Sequence, residues 1–239
     1  MKKNLAIVLV IIIGLTSVAY ADDTLLIMPI SAPIENTINL VYPKSVDLNE
    51  IKINGNDITL KNKILYLNGV MYLPLREISN AIEVDITWNN ETSRIELIKG
   101  PNYTSLAIGI NSYFKFRMAP VELSNQPLLI NSVTYVPVEF FNFQYDKNIT
   151  VEDGKLTLDD EMYAIHEGYV QSIEILDNYT RISISSLEST DDIYQMTYLN
   201  ISENTIFNKE VSVGNYLKSI SPPIMTMSIP GQTGSNVIY

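Results

Sequence analysis

The chain of 239 residues carries 16 Lys and Arg against 27 Asp and Glu, no cysteine and a single histidine. That composition excludes disulfides, thiolate catalysis, Cys-ligated zinc and any multi-histidine metal site. A formal net charge of −11 repels phosphate backbones and anionic surfaces, so no nucleic acid and no membrane is expected as a partner once the leader is gone.

Lys2 and Lys3 precede an apolar run over residues 5–13, and Ala19-Tyr20-Ala21 then presents the small residues a signal peptidase needs. The run is too short for a spanning helix, which takes ~20 apolar residues. Residues 1–21 are read as a signal peptide, removed to leave Asp22 first; an uncleaved N-terminal anchor is the alternative. The mature chain is expected to be secreted or cell-envelope associated, outside the cell.

Residues 22–47 form a lead-in with one apolar stretch, 24–30, of strand character; Pro29, Pro33 and Pro43 argue against a helix there. A regular pattern then begins. Ile51, Ile53, Ile58 and Leu60 flank Asn54-Gly55-Asn56-Asp57, a hairpin signal, and a second hairpin spans residues 64–73 around Asn68-Gly69. Pro74 suits a helix start, and Leu75, Ile78, Ala81 and Ile82 recur at helical spacing. Two strands over 85–88 and 94–98 follow, with Trp88 expected in the core under the helix. Leu129 to Pro137 then repeats the pattern of Tyr66 to Pro74 at an offset of 63 residues, with Ser132 in place of the turn glycine. The second unit closes with strands over 148–151 and 155–158 joined at Asp153-Gly154. Beyond Asp159-Asp160-Glu161, strands are expected over 169–175, 180–185, 193–201, 213–217, 225–229 and 236–239. Short strands with no helical stretch predict a small all-β, OB-like barrel over 161–239.

The marks Ile53-Asn54-Gly55, Asn68-Gly69-Val70-Met71-Tyr72-Leu73, Pro74-Leu75-Arg76-Glu77-Ile78, Trp88 and the echo Asn131 to Pro137 resemble the copper amine oxidase N-terminal-like (stalk) domain. The resemblance covers residues 48–160 and implies an α+β accessory domain of secreted bacterial proteins: repeat-built antiparallel hairpins plus helices, followed here by the barrel. Glu139 stands at the second-copy Arg position, a departure from the pattern. Oxidase chemistry is not implied. The Asn-Tyr pairs at 102–103, 178–179 and 215–216 lack the following acidic residue of the quinone site, and one histidine cannot build the copper site.

Candidate chemistry is sparse. His166 sits at the domain junction and could act as a lone acid–base group; an ordinary junction histidine serves as well. Asp159, Asp160 and Glu161, or Asp191 and Asp192, could offer oxygen ligands to calcium, but neither has the spacing of a calcium loop, and solvated acidic turns account for both. Tyr66, Tyr72, Tyr135, Tyr145, Tyr163 and Tyr169 could stack on sugars or fill a partner's pockets, or simply pack between strands. No catalytic, cofactor-binding or metal residue is assigned and no cofactor is expected. The reading is an exported, non-catalytic cell-envelope binding or scaffolding protein whose partner is a cell-wall polymer or another envelope protein. The alternative is a small secreted hydrolase working on wall polysaccharide or peptide through a carboxylate pair.

Overall fold

Among the described residues, four hairpins turn on two successive residues at positive φ, and these turns set the register of the strands they join. Asn54-Gly55, Asn68-Gly69 and Asp153-Gly154 carry the pattern with glycine second; at Asn131-Ser132 a serine takes the left-handed position instead, at φ 64°. The computed structural model describes residues 46–239 except 116, 117 and 178. The expected signal peptide and the strand over 24–30 lie outside the described residues.

A hairpin of β1 (Glu50–Ile53) and β2 (Asn56–Thr59) opens the described chain. The first unit comprises β3 (Leu65–Leu67), β4 (Val70–Pro74), α1 (Leu75–Ala81), β5 (Asp85–Asn89) and β6 (Arg94–Lys99), with β7 (Asn102–Leu106) added beside β6. The second comprises β8 (Leu128–Ile130), β9 (Val133–Pro137), α2 (Glu139–Tyr145), β10 (Asn148–Glu152) and β11 (Lys155–Asp159), with β1 running parallel beside β11. Strands β8, β9 and β10 each lie 63 residues after β3, β4 and β5, and the second helix is seven residues long like the first. The two units meet through β4 and β9, antiparallel, with Tyr72 opposite Pro137, Leu73 opposite Val136 and Pro74 opposite Tyr135. A pseudo-twofold axis therefore passes between Leu73 and Val136. It is visible in matched side-chain bonds: the Tyr72 hydroxyl donates to the Gln126 carbonyl and the Tyr135 hydroxyl to the Lys63 carbonyl, both at 3.4 Å.

Helix α1 buries Leu75 and Ile78 against the sheets, as the 3.6-residue spacing predicts; Ile82, its C-cap, is buried too, while Ala81 faces solvent. In α2 the aromatic load goes inward: Phe140 and Phe141 are buried and meet edge to face at 5.4 Å between centroids.

The remaining strands are β12 (Ala164–Ile175), β13 (Thr180–Ser185), β14 (Met196–Ile201), β15 (Ile206–Phe207), β16 (Tyr216–Ser221), β17 (Gly231–Gly234) and β18 (Val237–Ile238). They form one seven-stranded sheet in the order β15-β18-β16-β12-β13-β14-β17, and no ladder joins β15 to β17 among the described residues. Among the described residues the fold is α+β, with several sheets and two α-helices. Residues 225–229, expected as a strand, instead form an exposed loop, and the strand begins at Gly231. Pro222, Pro223 and Pro230 supply no N–H to a ladder, which explains the shift. Ile206, Ile220 and Val237 of this sheet belong to the same buried cluster as Phe140, Phe141 and Ile149 of the second unit.

Candidate functional site

A groove of about 560 Å³ lies between α1 and the edge strand β5 of the first unit and the β8–β9 hairpin of the second. Leu75 and Ile95, both buried, and Ile86 and Ile108, half-buried, give it an apolar floor. Trp88 and Leu129 stand at its rim, 49% and 55% exposed. The sequence reading placed Trp88 in the core under α1, and the structure corrects this. β5 is the edge of its three-stranded sheet, and the indole N–H, which must find an acceptor, bonds Asn90 Oδ1 at 2.9 Å in the turn beyond the strand. The ring therefore lies along the groove rather than beneath the helix.

Lys61, Asn62, Arg76 and Glu77 supply the polar side. Glu77 is tied down: its carboxylate accepts from the Lys61 N–H at 2.7 Å, the Asn62 N–H at 3.0 Å and the Asn62 side-chain amide at 2.5 Å. This pins the first turn of α1 to the segment leading into β3. Among the described residues, neither Lys61 nor Arg76 has a carboxylate partner at ion-pair distance.

The pseudo-twofold axis builds the same surface a second time, and there it is filled. Met71, Glu139 and Val151 occupy the places that Thr134, Arg76 and Trp88 hold in the groove, each pair 63 residues apart. Val151 is only 6% exposed where Trp88 is half exposed. The segment that closes this face is 205–208, every residue of it buried. Asn208 Oδ1 accepts from the Met71 N–H at 2.9 Å while its Nδ2 donates to Glu139 Oε2; the other Glu139 oxygen accepts from the Ser124 N–H at 2.8 Å. Complete burial pushes the Glu139 carboxyl above the usual carboxylate range, against the pull of these donors. Burial, helped by the Glu139 charge, likewise holds the Tyr72 phenol up at about 12.

The residues singled out from sequence fall elsewhere. His166 is half-buried on β12 opposite Ser219, and burial lowers its pKa. Asp160 pairs with buried Lys147 at 2.6 Å, and Asp159 closes a turn by accepting from the Glu161 N–H. Asp192 caps a short 3-10 turn by accepting from the Tyr194 N–H at 3.0 Å. Among the described residues no group of three or more His, Cys, Asp or Glu side chains is placed to hold a metal ion. Tyr72 and Tyr135 are buried and Tyr66, Tyr145, Tyr163 and Tyr169 half-buried, so these six serve packing. Sequence reasoning missed the groove and Asn208 altogether; only Glu139, flagged as a departure at the Arg position, pointed toward them.

Residues 52–159 match the model of the copper amine oxidase N-terminal domain, so the chain contains a domain of this kind. A protease inhibitor from Brevibacillus choshinensis is 28% identical over 125 residues, covering 52% of this chain and 38% of that protein. The shared segment thus spans well under half of that relative's length.

Proposed function

We propose that this chain is an exported, non-catalytic cell-envelope module that binds a partner through the groove of its first unit. The open apolar groove carries this reading. A preformed cleft with an exposed indole and leucine at its rim and a few convergent polar groups is the ordinary form of a binding site. Its pinned backbone lowers the ordering cost of association. The relative's name denotes a protein that acts on other proteins, which supports an envelope protein over a wall polymer as partner. The hydrolase alternative needs two carboxylates facing one substrate. The groove offers Glu77 alone, already engaged by three N–H groups, and Glu139 is sealed from solvent.

The C-terminal sheet fits the proposal as an OB-like support. Its long strand β12 pairs with β16 along its first half and with β13 along its second, and it bends at a bulge between Val170 and Ser172. At Gly168 a Cβ would press on the Ser185 carbonyl, so only glycine allows the two strands to curl this closely.

The test is binding of the exported protein to purified cell-wall sacculi, native and stripped of protein. Saturable binding without release of soluble sugar or peptide, lost on stripping and lost in Leu129→Asp, is the expected result. Binding retained on stripped sacculi would assign a polymer instead. Turnover abolished by changing one Asp or Glu would replace this reading with the hydrolase.

A further inference from the structure

We infer that the groove accepts an extended polypeptide segment of a partner protein in which an apolar residue is followed, two positions on, by an acidic one. The inference rests on the groove being the binding face and names its ligand class. The filled face of the second unit shows how such a surface is closed. Ile206 on β15 and Asn208 just beyond its end lie two apart and both face the second unit, while Phe207 between them packs in the separate core of the C-terminal sheet. Ile206 fills the apolar floor, and Asn208 accepts one backbone N–H and donates to one carboxylate.

The groove repeats the first two requirements and inverts the third. Its floor is apolar. Its backbone donor is the Thr134 N–H, at the place of Met71. Ile130 and Val133 flank the two-residue turn, so the next pair, Leu129 and Thr134, does not exchange hydrogen bonds, and the Thr134 N–H points away from β8. The Tyr66–Met71 pair has the same register, and there the free N–H is the one Asn208 takes. At the place of the Glu139 carboxylate, however, stands Arg76, a donor only. An asparagine would turn its NH₂ onto a guanidinium; a carboxylate accepts from both Thr134 N–H and Arg76. Lys61, also without a carboxylate partner at ion-pair distance among the described residues, adds a second cation on the same side, and the Glu77 carboxylate is held by the Lys61 and Asn62 amides. The chain's own segment 205–208 is buried in the opposite face, and among the described residues no other segment fills the groove.

Synthetic peptides spanning residues 203–210 of this chain test the inference, titrated onto the intact protein and followed by the emission of Trp88, its single tryptophan. The peptide with Asn208→Asp should bind about tenfold or more tightly than the unchanged peptide, as a charge-assisted bond replaces a repulsive contact. Adding Ile206→Ser to the acidic peptide should remove most of that affinity. In the Arg76→Glu protein the preference for the acidic peptide should vanish or reverse. Equal affinity for the Asp and Asn peptides, no binding by the Asp peptide, or a preference unchanged in Arg76→Glu would overturn the inference. If sacculus binding still depends on Leu129 while the peptides show no preference, the groove remains the binding face and only the ligand class falls; if both fail, both readings fall.

Discussion

The two units of this domain present the same face to different surroundings. On the second unit the face meets β15: Ile206 enters the core, Asn208 bridges Met71 and Glu139, and Val151 is buried. On the first unit no segment among the described residues fills that place, and Trp88, with Leu129 of the facing β8, stands in solvent. A duplicated unit made to close upon a strand thus spends one copy on internal packing and leaves the other free. Carboxylate and guanidinium mark the division, since Glu139 suits an amide from the same chain and Arg76 does not.

The filled face should be the costly one to damage. Ile206→Ala removes a fully buried side chain from the shared core and should destabilise by ~2–5 kcal/mol in urea unfolding. Asn208→Ala leaves the Met71 N–H and the Glu139 carboxylate without their partner and should cost ~2–4 kcal/mol by the same measurement. A loss of a few tenths in either would mean that β15 merely rests on the second unit.

Glu139 sharpens the comparison through pH. Its folded carboxyl sits above the unfolded value, so folding favours the protonated form. The stability this contributes is fully present below the unfolded pKa and is lost as pH rises through the window up to the raised folded value. Unfolding free energies measured from about pH 4 to 8 should show that downward contribution in the wild type and lack it in Glu139→Gln. Parallel profiles would show that the carboxyl titrates alike folded and unfolded. On the open face, Trp88→Ala and Leu129→Asp should change stability by less than ~0.5 kcal/mol, because half-exposed rim side chains hold little of the fold together. The same two changes should abolish partner binding.

Much of the architecture is legible in the sequence. Asn-Gly and Asp-Gly pairs named three of the four hairpins that turn on two positive-φ residues among the described residues, and the 63-residue echo announced the duplicated unit, because local turn chemistry and strand period act within a few residues. Trp88 misled because a large aromatic near a helix reads as core, and sequence does not say that β5 is a sheet edge. The stretch 225–229 misled because alternating apolar residues were weighed above the prolines around them. The groove was out of reach: Arg76, Trp88 and Leu129 converge only when β4 pairs with β9, and the meaning of Glu139 needed Asn208, 69 residues away. Non-local pairing, not local propensity, makes this site.

The groove beside α1, and not the filled face, receives the partner in this reading. Amide hydrogen exchange of the intact protein, with and without the protein fraction released from sacculi that binds it, tests this directly. The expected result is new protection over residues 129–134 and in the first turn of α1, with Met71 and 206–208 unchanged, and none of it in Leu129→Asp. Protection confined to other surfaces, or equal in Leu129→Asp, would contradict it.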